Sequence, residues 1–366
     1  MTDSLQGSQR NIVLCLDGTS NEPETGTTNV ARMFDLAVKR DHQLVYYDPG
    51  VGTMGARGAV TPLGKKASRF AGLVGGFGIK DDLEEAYTFL VRSYRPGDRI
   101  FVFGFSRGAY TARAFTGMLR TVGLLRPGAE NLVPYAVKLY AQRGKDNATA
   151  EQRRDYFRLR SGFARQFGNP GFPNPFDNNR NQVHFLGVWD TVKSVGWLNW
   201  KARIEQARWP FTARITNVRT ARHALAIDER RRPYKEYRFD ADAVAESDSR
   251  YLEMWFAGVH SDVGGQFPDD HGLSDIAFAW MADEAVSAGL EVDPKIYQRL
   301  LKVKYGEKLP DDRALGKIHT NEKAWWLLGG WRDRPIREID GVHPSVQRRV
   351  DATASTSSPY QLRLSN

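Results

Sequence analysis

The sequence contains a single cysteine, Cys15, among 366 residues. One thiol cannot form an intrachain disulfide, and it cannot supply the several thiolates of a structural zinc site. Histidine is also sparse, with 7 residues in all, and the sequence has no dense cluster of histidine and carboxylate residues. We therefore predict a protein that needs neither a metal ion nor another cofactor.

Long apolar segments are missing as well. No stretch of the sequence approaches the roughly 18 apolar residues of a membrane-spanning helix. Residues 1–10 are polar and lack the charged start, apolar centre and small-residue cleavage site of a secretory signal. We expect a cytoplasmic protein; delivery by a secretion system that does not read such a signal stays open as an alternative.

Acidic residues are outnumbered, because 43 Asp and Glu stand against 52 Lys and Arg, which gives a formal net charge of +9. A basic surface raises the local concentration of anionic partners, so peripheral contact with an anionic membrane is expected. The sequence has neither zinc-finger spacing nor the aromatic and basic pattern of an RNA-binding sheet, so nucleic-acid binding is not predicted. Nothing in the sequence predicts the oligomeric state.

Short, continuous apolar runs alternate with segments of helical periodicity. Such runs are typical of parallel strands that helices cover on both faces. The alternation predicts an α/β fold with a mostly parallel central sheet flanked by helices. The predicted strands are residues 11–16, 44–47, 100–103, 183–189 and 251–257.

We predict a single domain over residues 11–350, because α/β folds often exceed the usual domain size. Residues 51–78 are rich in glycine and are expected to form a long loop. Residues 128–181 contain helical sequence outside the predicted sheet, and we expect them to form a helical cap or insertion. The terminal segments 1–10 and 352–366 are expected to be flexible.

One motif indicates a specific chemistry. The predicted strand 100–103 leads directly into Gly104-Phe105-Ser106-Arg107-Gly108, and a helical pattern follows. A G-x-S-x-G sequence at a strand-to-helix junction is typical of the α/β-hydrolase nucleophile, because the tight turn needs small flanking residues and exposes the serine hydroxyl. Ser106 is therefore predicted to be a nucleophile.

A nucleophilic serine needs a histidine base and a carboxylate that orients this base. In α/β-hydrolases both follow the serine in the chain, first the acid and then the histidine. Asp190 ends the predicted strand 183–189, and His260 follows the predicted strand 251–257. We predict Asp190 as the acid and His260 as the base, and His343, near the end of the domain, stays open as the alternative base.

The same turn is expected to supply donors for an oxyanion hole. The backbone N–H of Arg107, the residue after the nucleophile, would lie at a helix N-terminus, where the helix dipole favours negative charge. The second donor is expected from the loop after an earlier strand. Gly18 and Thr19, which follow the predicted strand 11–16, are the candidates.

Two aspartates remain as further site candidates. Asp262 is an alternative partner for the base, or would bind a cation together with Asp17 and Asp190, although the sequence lacks the ligand cluster of a metal centre. His223 is predicted to lie on a helix and His319 to face water, so neither histidine is given a catalytic role.

Four segments together resemble a known family. The sequence is similar to the α/β-hydrolase family long catalogued as domain of unknown function 2235, and the similarity spans residues 11–350. That family includes type VI secretion effectors that cleave phospholipids, and the resemblance implies a triad at Ser106, Asp190 and His260. The segments are Leu16–Asn21, Gly104–Ala109, Gly187–Val192 and Gly258–Gly265.

These observations predict a serine esterase or lipase that hydrolyses a carboxylic ester through an acyl-enzyme. The expected substrate is a small-molecule or lipid ester, and the resemblance extends this to phospholipids. The alternative is a non-catalytic module of the same fold that uses its basic surface to hold an anionic lipid or a protein partner.

Overall fold

The computed structural model describes eight stretches of the chain, which include most of the predicted domain. The predicted glycine-rich loop 51–78 lies outside the described residues except for Gly78, and so does Thr19. The described stretches are residues 9–18, 27–50, 78–142, 149–176, 181–192, 209–320, 330–338 and 340–364.

Seven strands in the described part of the chain form one sheet, in the order β2-β1-β3-β4-β5-β6-β7. Every pairing between neighbouring strands is parallel. The predicted α/β-hydrolase-like fold with a parallel central sheet is thus confirmed. The strands are β1 Asn11–Leu16, β2 Gln43–Asp48, β3 Arg99–Phe105, β4 Val183–Trp189, β5 Val218–Ala226, β6 Tyr251–Phe256 and β7 Gly341–Val342.

Helices cover both faces of this sheet. In the described residues they are α1 Asn29–Leu36, α2 Ile79–Ser93, α3 Arg107–Val122, α4 Val133–Ala141, α5 Ala150–Phe167, α6 Ala241–Ala245, α7 His260–Gly264, α8 Gly272–Ser287, α9 Pro294–Leu301 and α10 Pro344–Thr353. None of them is both long enough and apolar enough to cross a membrane.

Alternate residues of the central strands enter two separate cores. In β1, Ile12 and Leu14 pack with helices α2, α3, α4 and α5 on one face. Val13 and Cys15 point to the opposite face and pack with α1, α8 and α9. A strand that is buried on both faces needs a continuous apolar run, which is the pattern in the sequence of β1.

Helices α4 and α5 form a layer against the helices of one face. The Tyr156 hydroxyl on α5 donates to the Leu139 carbonyl of α4 at 3.1 Å, and α5 begins with a reciprocal capping box of Thr149 and Gln152. The predicted insertion 128–181 is therefore largely helical where it is described. Its role as a cap stays a prediction.

Two strands were missing from the prediction, β5 and the two-residue strand β7. Residues Val218–Ala226 form β5 between β4 and β6, so His223 lies on a central strand and the prediction of a helix was wrong. The segment has the sequence VRTARHALA, in which arginine and histidine interrupt the apolar residues. Because Arg222 pairs with Glu284 and His223 pairs with Glu253, the strand forms without a continuous apolar run.

Candidate active site

Ser106 lies in the turn that joins β3 to α3. Its φ of 57° and ψ of −119° place it in a strained backbone conformation that a serine rarely adopts. A Cβ atom on Gly108 would approach the Leu16 carbonyl oxygen to 2.2 Å, and one on Gly104 would approach the Gly108 oxygen to 2.5 Å. The two glycines of the motif are thus required by the close contact between this turn, its own helix and β1.

His260 begins the short helix α7, which follows β6 after a turn at Gly258. Its Nε2 atom lies 2.8 Å from the Ser106 Oγ atom. The imidazole is 4% exposed and packs against Phe105 and Tyr234, with ring centroids at 4.6 Å and 4.9 Å. The ring is therefore held in one orientation toward Ser106.

Asp190 follows the last residue of β4 and is fully buried. Its Oδ2 atom lies 2.5 Å from Nδ1 of His260, and its Oδ1 atom accepts the Ala226 N–H at 3.0 Å. A carboxylate accepts hydrogen bonds, so Nδ1 of His260 carries the proton and Nε2 is free to accept from the Ser106 hydroxyl. This is the tautomer that a general base requires.

Arg334, which lies near the C-terminal end of the described residues, binds Asp190 through two hydrogen bonds. Its Nη1 atom donates to Oδ1 and its Nη2 atom donates to Oδ2 of Asp190, the latter at 3.0 Å. Burial alone would raise the pKa of the Asp190 carboxyl, but the Arg334 charge and the His260 hydrogen bond outweigh it and lower this pKa. Sequence analysis did not find Arg334, because the two partners lie 144 positions apart and no motif surrounds it.

Glu229 is a second buried residue that sequence analysis did not find. Its Oε2 atom accepts the backbone N–H of His260 at 3.2 Å and also an N–H of Arg231 at 2.7 Å. Burial would raise the pKa of Glu229, but the hydrogen bond and charge of Arg231 lower it. Glu229 therefore fixes the start of α7, on which His260 lies.

The three predicted oxyanion-hole residues have different positions. Arg107 begins α3 directly after Ser106, and burial lowers the pKa of its guanidinium to about 10. A Cβ atom on Gly18 would lie 3.4 Å from Cβ of Ser106, so this glycine lies against the nucleophile. Its N–H, however, donates to Oδ1 of Asp17 at 2.8 Å. The oxyanion-hole roles stay predictions, and Thr19 lies outside the described residues.

Asp17 and Asp262 belong to other hydrogen-bond groups. Besides Gly18, Asp17 accepts the Tyr47 hydroxyl at 2.9 Å. Asp262 accepts the Val259 N–H at 2.9 Å and lies 2.5 Å from Nδ1 of His319. The position beside Nδ1 of His260 is taken by Asp190. Within the described stretches, no group of three or more His, Cys, Asp or Glu residues is arranged to hold a metal ion.

The remaining histidines do not contact Ser106 in the described structure. His343 caps α10, with Nδ1 2.9 Å from the Ser345 hydroxyl, and burial lowers its pKa to about 4. The structure thus brings His260, and not His343, to Ser106. His319 is buried between Asp262 and Asp269, so the expectation that it faces water was wrong.

The fold and this arrangement define a protein of the α/β-hydrolase class. The family model described as T6SS, Phospholipase effector Tle1-like, catalytic domain matches residues 10–284. The chain therefore belongs to the family of Tle1-like phospholipase effector catalytic domains of type VI secretion, in agreement with the resemblance found in the sequence.

Individual relatives are longer than this chain. A Saccharomyces cerevisiae protein described as Uncharacterized protein YEL023C is 33% identical over 243 residues, which are 64% of this chain and 33% of that protein. An uncharacterized protein from Pseudomonas aeruginosa has a crystal structure with a TM-score of 0.40 and 20% identity, over 79% of this chain and 47% of that one. The Tle1 effector bound to the VgrG spike has a TM-score of 0.37 and 18% identity, over 71% of this chain and 51% of that one. The chain spans about a third of the yeast protein and about half of each structural neighbour.

Proposed function

We propose that this protein is a serine esterase that hydrolyses the carboxylic ester of a lipid through an acyl-enzyme. The observation that carries the proposal is one continuous hydrogen-bonded chain. It runs from the Ser106 Oγ atom to His260 over 2.8 Å and from His260 to Asp190 over 2.5 Å. Because Ser106 also lies at the N-terminus of α3 in a strained turn, its hydroxyl is presented as a nucleophile.

The reaction then has two halves. In the first, Oγ of Ser106 attacks the ester carbonyl while Nε2 of His260 takes the hydroxyl proton, and this proton passes to the leaving alcohol. In the second, water attacks the acyl carbonyl while Nε2 of His260 takes its proton, and His260 returns this proton to Oγ of Ser106 as the bond to the acyl group breaks and the acid leaves. In both halves Asp190 remains ionised and stabilises the transient imidazolium of His260.

Negative charge on the carbonyl oxygen would be stabilised at the start of α3. The backbone N–H of Arg107 is the first proposed donor, since the first N–H groups of a helix lack partners within the helix and the dipole favours an anion there. Gly18 is the second. Its N–H would have to turn from the Asp17 carboxylate or share its hydrogen between that carboxylate and the oxyanion.

The family supports a phospholipid as the substrate and type VI secretion as the route of delivery. The formal net charge of +9 is consistent with work at an anionic membrane surface. Acyl length and headgroup are left to measurement. A series of short-to-long acyl esters, followed by phospholipid vesicles, separates an esterase from a lipase.

The test compares wild type with Ser106→Ala on these substrates. We expect Ser106→Ala to fold normally and to lose at least about three orders of magnitude in kcat, because the nucleophile acts as a unit with its base. Ser161→Ala, at a serine on α5 outside the site, is the matched control and should keep full activity. Turnover that persists in Ser106→Ala would rule out this mechanism.

A fluorophosphonate probe distinguishes the esterase from a non-catalytic module, because only an activated serine reacts with it. Labelling of wild type should disappear in His260→Ala and persist in His343→Ala. Loss of labelling in His343→Ala alone would transfer the role of base to that residue. A wild-type protein that is folded but takes no label would favour the binding module.

A further inference from the structure

His223 lies in the centre of the sheet, on the strand next to the one that ends at Asp190. In the pairing of β4 with β5 it stands opposite Val188. The imidazole is fully buried, and the proposed reaction uses it neither for proton transfer nor for contact with the ester. Both of its ring nitrogens nevertheless have hydrogen-bond partners, and one of these partners adjoins Asp190 in the chain.

The hydrogen bonds of His223 define its tautomer. The backbone N–H of Thr191 donates to Nε2 at 3.2 Å, so Nε2 is unprotonated and the ring proton is on Nδ1. Nδ1 lies 2.9 Å from Oε1 of Glu253, which accepts its hydrogen bond. Nη2 of Arg113 lies 3.2 Å from the same Nδ1, but both nitrogens then carry protons, so Arg113 acts on the ring through its charge. Burial and this charge lower the pKa of His223 to about 4, which keeps the ring neutral near pH 7.

Glu253 holds the His223 ring in this orientation. Its Oε1 atom also accepts the Phe239 N–H at 2.8 Å, and its Oε2 atom accepts from Nε of Arg238 at 2.7 Å. The carboxylate is thus fixed by donors on both oxygens. It selects the tautomer in which Nε2 of His223 is an acceptor for the Thr191 N–H.

The backbone of Asp190 needs support from its surroundings. Its φ of 37° lies in the left-handed region that most residues other than glycine avoid. The Asp190 N–H donates to the Ala224 carbonyl at 2.7 Å, and the next N–H along the chain, that of Thr191, donates to His223. These two hydrogen bonds flank the Asp190 Cα atom. They therefore hold the bend from which the carboxylate reaches His260.

We infer that His223 is a positioning residue for the acid of the proposed triad. Through the Thr191 N–H it fixes the backbone of Asp190, so that the carboxylate stays 2.5 Å from Nδ1 of His260. Misplacement by about 1 Å in such an alignment lowers a rate by up to about 100-fold. Arg334 acts on the charge of the same carboxylate, whereas His223 acts on its backbone. This role rests on the proposed function, because the position of the acid affects a rate only if the neighbouring histidine acts as a base.

Two substitutions separate positioning from simple packing. A glutamine amide extends to the place of Nε2, so His223→Gln keeps an acceptor for the Thr191 N–H. An asparagine amide extends only to the place of Nδ1, so His223→Asn still donates to Glu253 but leaves the Thr191 N–H without an acceptor. We expect kcat of His223→Asn to fall by about 10- to 100-fold with little change in KM, and kcat of His223→Gln to stay within about threefold of wild type.

His184→Asn is the matched control. His184 is a half-buried histidine at the opposite end of β4 from Asp190, and its Nε2 atom bonds the Ala288 carbonyl at 2.8 Å. The substitution removes a comparable hydrogen bond of the same sheet. It should lower the melting temperature without changing kcat.

Proton NMR gives a second readout, which needs no substrate. The proton on Nδ1 of His260 lies in a short hydrogen bond to Asp190, so its resonance is expected far downfield. It should shift in His223→Asn and stay in place in His223→Gln and His184→Asn. This shift in a wild-type background that hydrolyses no ester would refute the esterase and keep the positioning role.

Several results would overturn the inference. They are wild-type kcat and an unshifted resonance in folded His223→Asn, or an equal loss of kcat in both His223 variants, which would assign the effect to packing of the ring. If His223→Asn does not fold, nitrogen NMR of wild type remains decisive. Nε2 of His223 must be unprotonated there, and a proton on this atom would remove the bond to Thr191 and with it the positioning role.

Discussion

At the scale of single residues, the proposed triad depends on keeping the carboxylate of Asp190 ionised although it is buried away from water. A buried carboxylate tends to become neutral, and a neutral acid would stabilise the His260 imidazolium poorly. Asp190 avoids this because it accepts four hydrogen bonds, two of them from the Arg334 guanidinium. The charge of Arg334 offsets much of the cost of burial, so Asp190 is kept ionised beside the proposed base.

We therefore predict that Arg334→Gln impairs hydrolysis through Asp190. Without the cation the pKa of Asp190 rises, so the acid limb of the kcat/KM profile moves to higher pH. At neutral pH kcat/KM should fall by roughly 10- to 100-fold with little change in KM, because Arg334 does not touch the ester. Arg334→Lys restores the charge but not the bidentate contact, and should recover part of the rate.

Arg337→Gln provides the control, since Arg337 lies in the same segment but is exposed and pairs with Asp340. Its pH profile should match wild type. If Arg334→Gln lowers stability while its acid limb stays in place, Arg334 supports only the fold and not the ionisation of Asp190.

Residues such as Arg334 and Glu229 could not be predicted from the sequence. The sequence did predict the three residues of the triad, because each follows a strand that the apolar pattern reveals. The carboxyl ends of parallel strands meet at one edge of a sheet, which brings together Ser106, Asp190 and His260. Arg334 follows no strand or motif, and Glu229 is one of many charged residues near it in the chain. Their roles depend on which distant donors and acceptors the finished fold brings together.

At the scale of elements, the turn between β3 and α3 depends on how closely α3 approaches β1. Gly108 lies in the first turn of α3, directly against the Leu16 carbonyl at the end of β1. This contact lets α3 start immediately after Ser106. The strained φ of 57° at Ser106 is then maintained by packing on both sides of the turn.

Gly108→Ala should consequently damage both stability and activity. The added methyl would lie 2.2 Å from the Leu16 oxygen, so β1 or α3 must move. We expect a loss of about 1–3 kcal/mol in the free energy of unfolding, measured by urea denaturation, together with a large loss of hydrolysis. Gly162→Ala is the control: it lies within α5, where a Cβ meets nothing within 4 Å. It should be neutral or slightly stabilising, and equal effects at both glycines would contradict the packing argument.

Elements differ in how well their sequences reveal them. The strands β1, β3, β4 and β6 were predicted because their apolar residues are continuous or nearly so. Strand β5 was not, because it contains His223, which is fully buried and bonded to Glu253 at 2.9 Å and to the Thr191 N–H at 3.2 Å. A buried polar residue interrupts the apolar pattern by which a strand is predicted. The partners that allow its burial lie on other elements, so the sequence of the strand itself does not reveal them.

At the scale of the whole molecule, buried carboxylates connect the sheet to the C-terminal segments. Glu253 on β6 accepts from His223 and from Arg238, and Arg238 in turn donates to Asp340 just before β7. Burial would raise the pKa of Glu253, but the hydrogen bond from His223 and the charge of Arg238 lower it to about 2. The pKa values of Asp190 and Asp340 are lowered in the same sense.

Carboxyl groups with lowered pKa values make the free energy of unfolding decrease as the pH falls. A carboxyl whose pKa is lower in the folded state stabilises the fold above its unfolded value, near 4, and this contribution is lost as the pH falls toward its folded value. Asp82 acts in the opposite sense, because burial and nearby carboxylates raise its pKa to about 8. Asp82 changes the free energy of unfolding only at pH values above its unfolded pKa. It therefore does not mask the loss of stability at acidic pH.

We predict that the melting temperature falls steeply below about pH 4.5, and that Glu253→Gln makes this fall shallower. The variant is less stable at neutral pH because it breaks the ion pair with Arg238, but it no longer takes up a proton at this site on unfolding. The slope of the unfolding free energy should drop by up to about 1.4 kcal/mol per pH unit between pH 4 and pH 2. Glu246→Gln, at an exposed glutamate after α6, should leave the curve unchanged. Parallel curves for wild type and Glu253→Gln, measured by calorimetry, would mean that this network does not control acid stability.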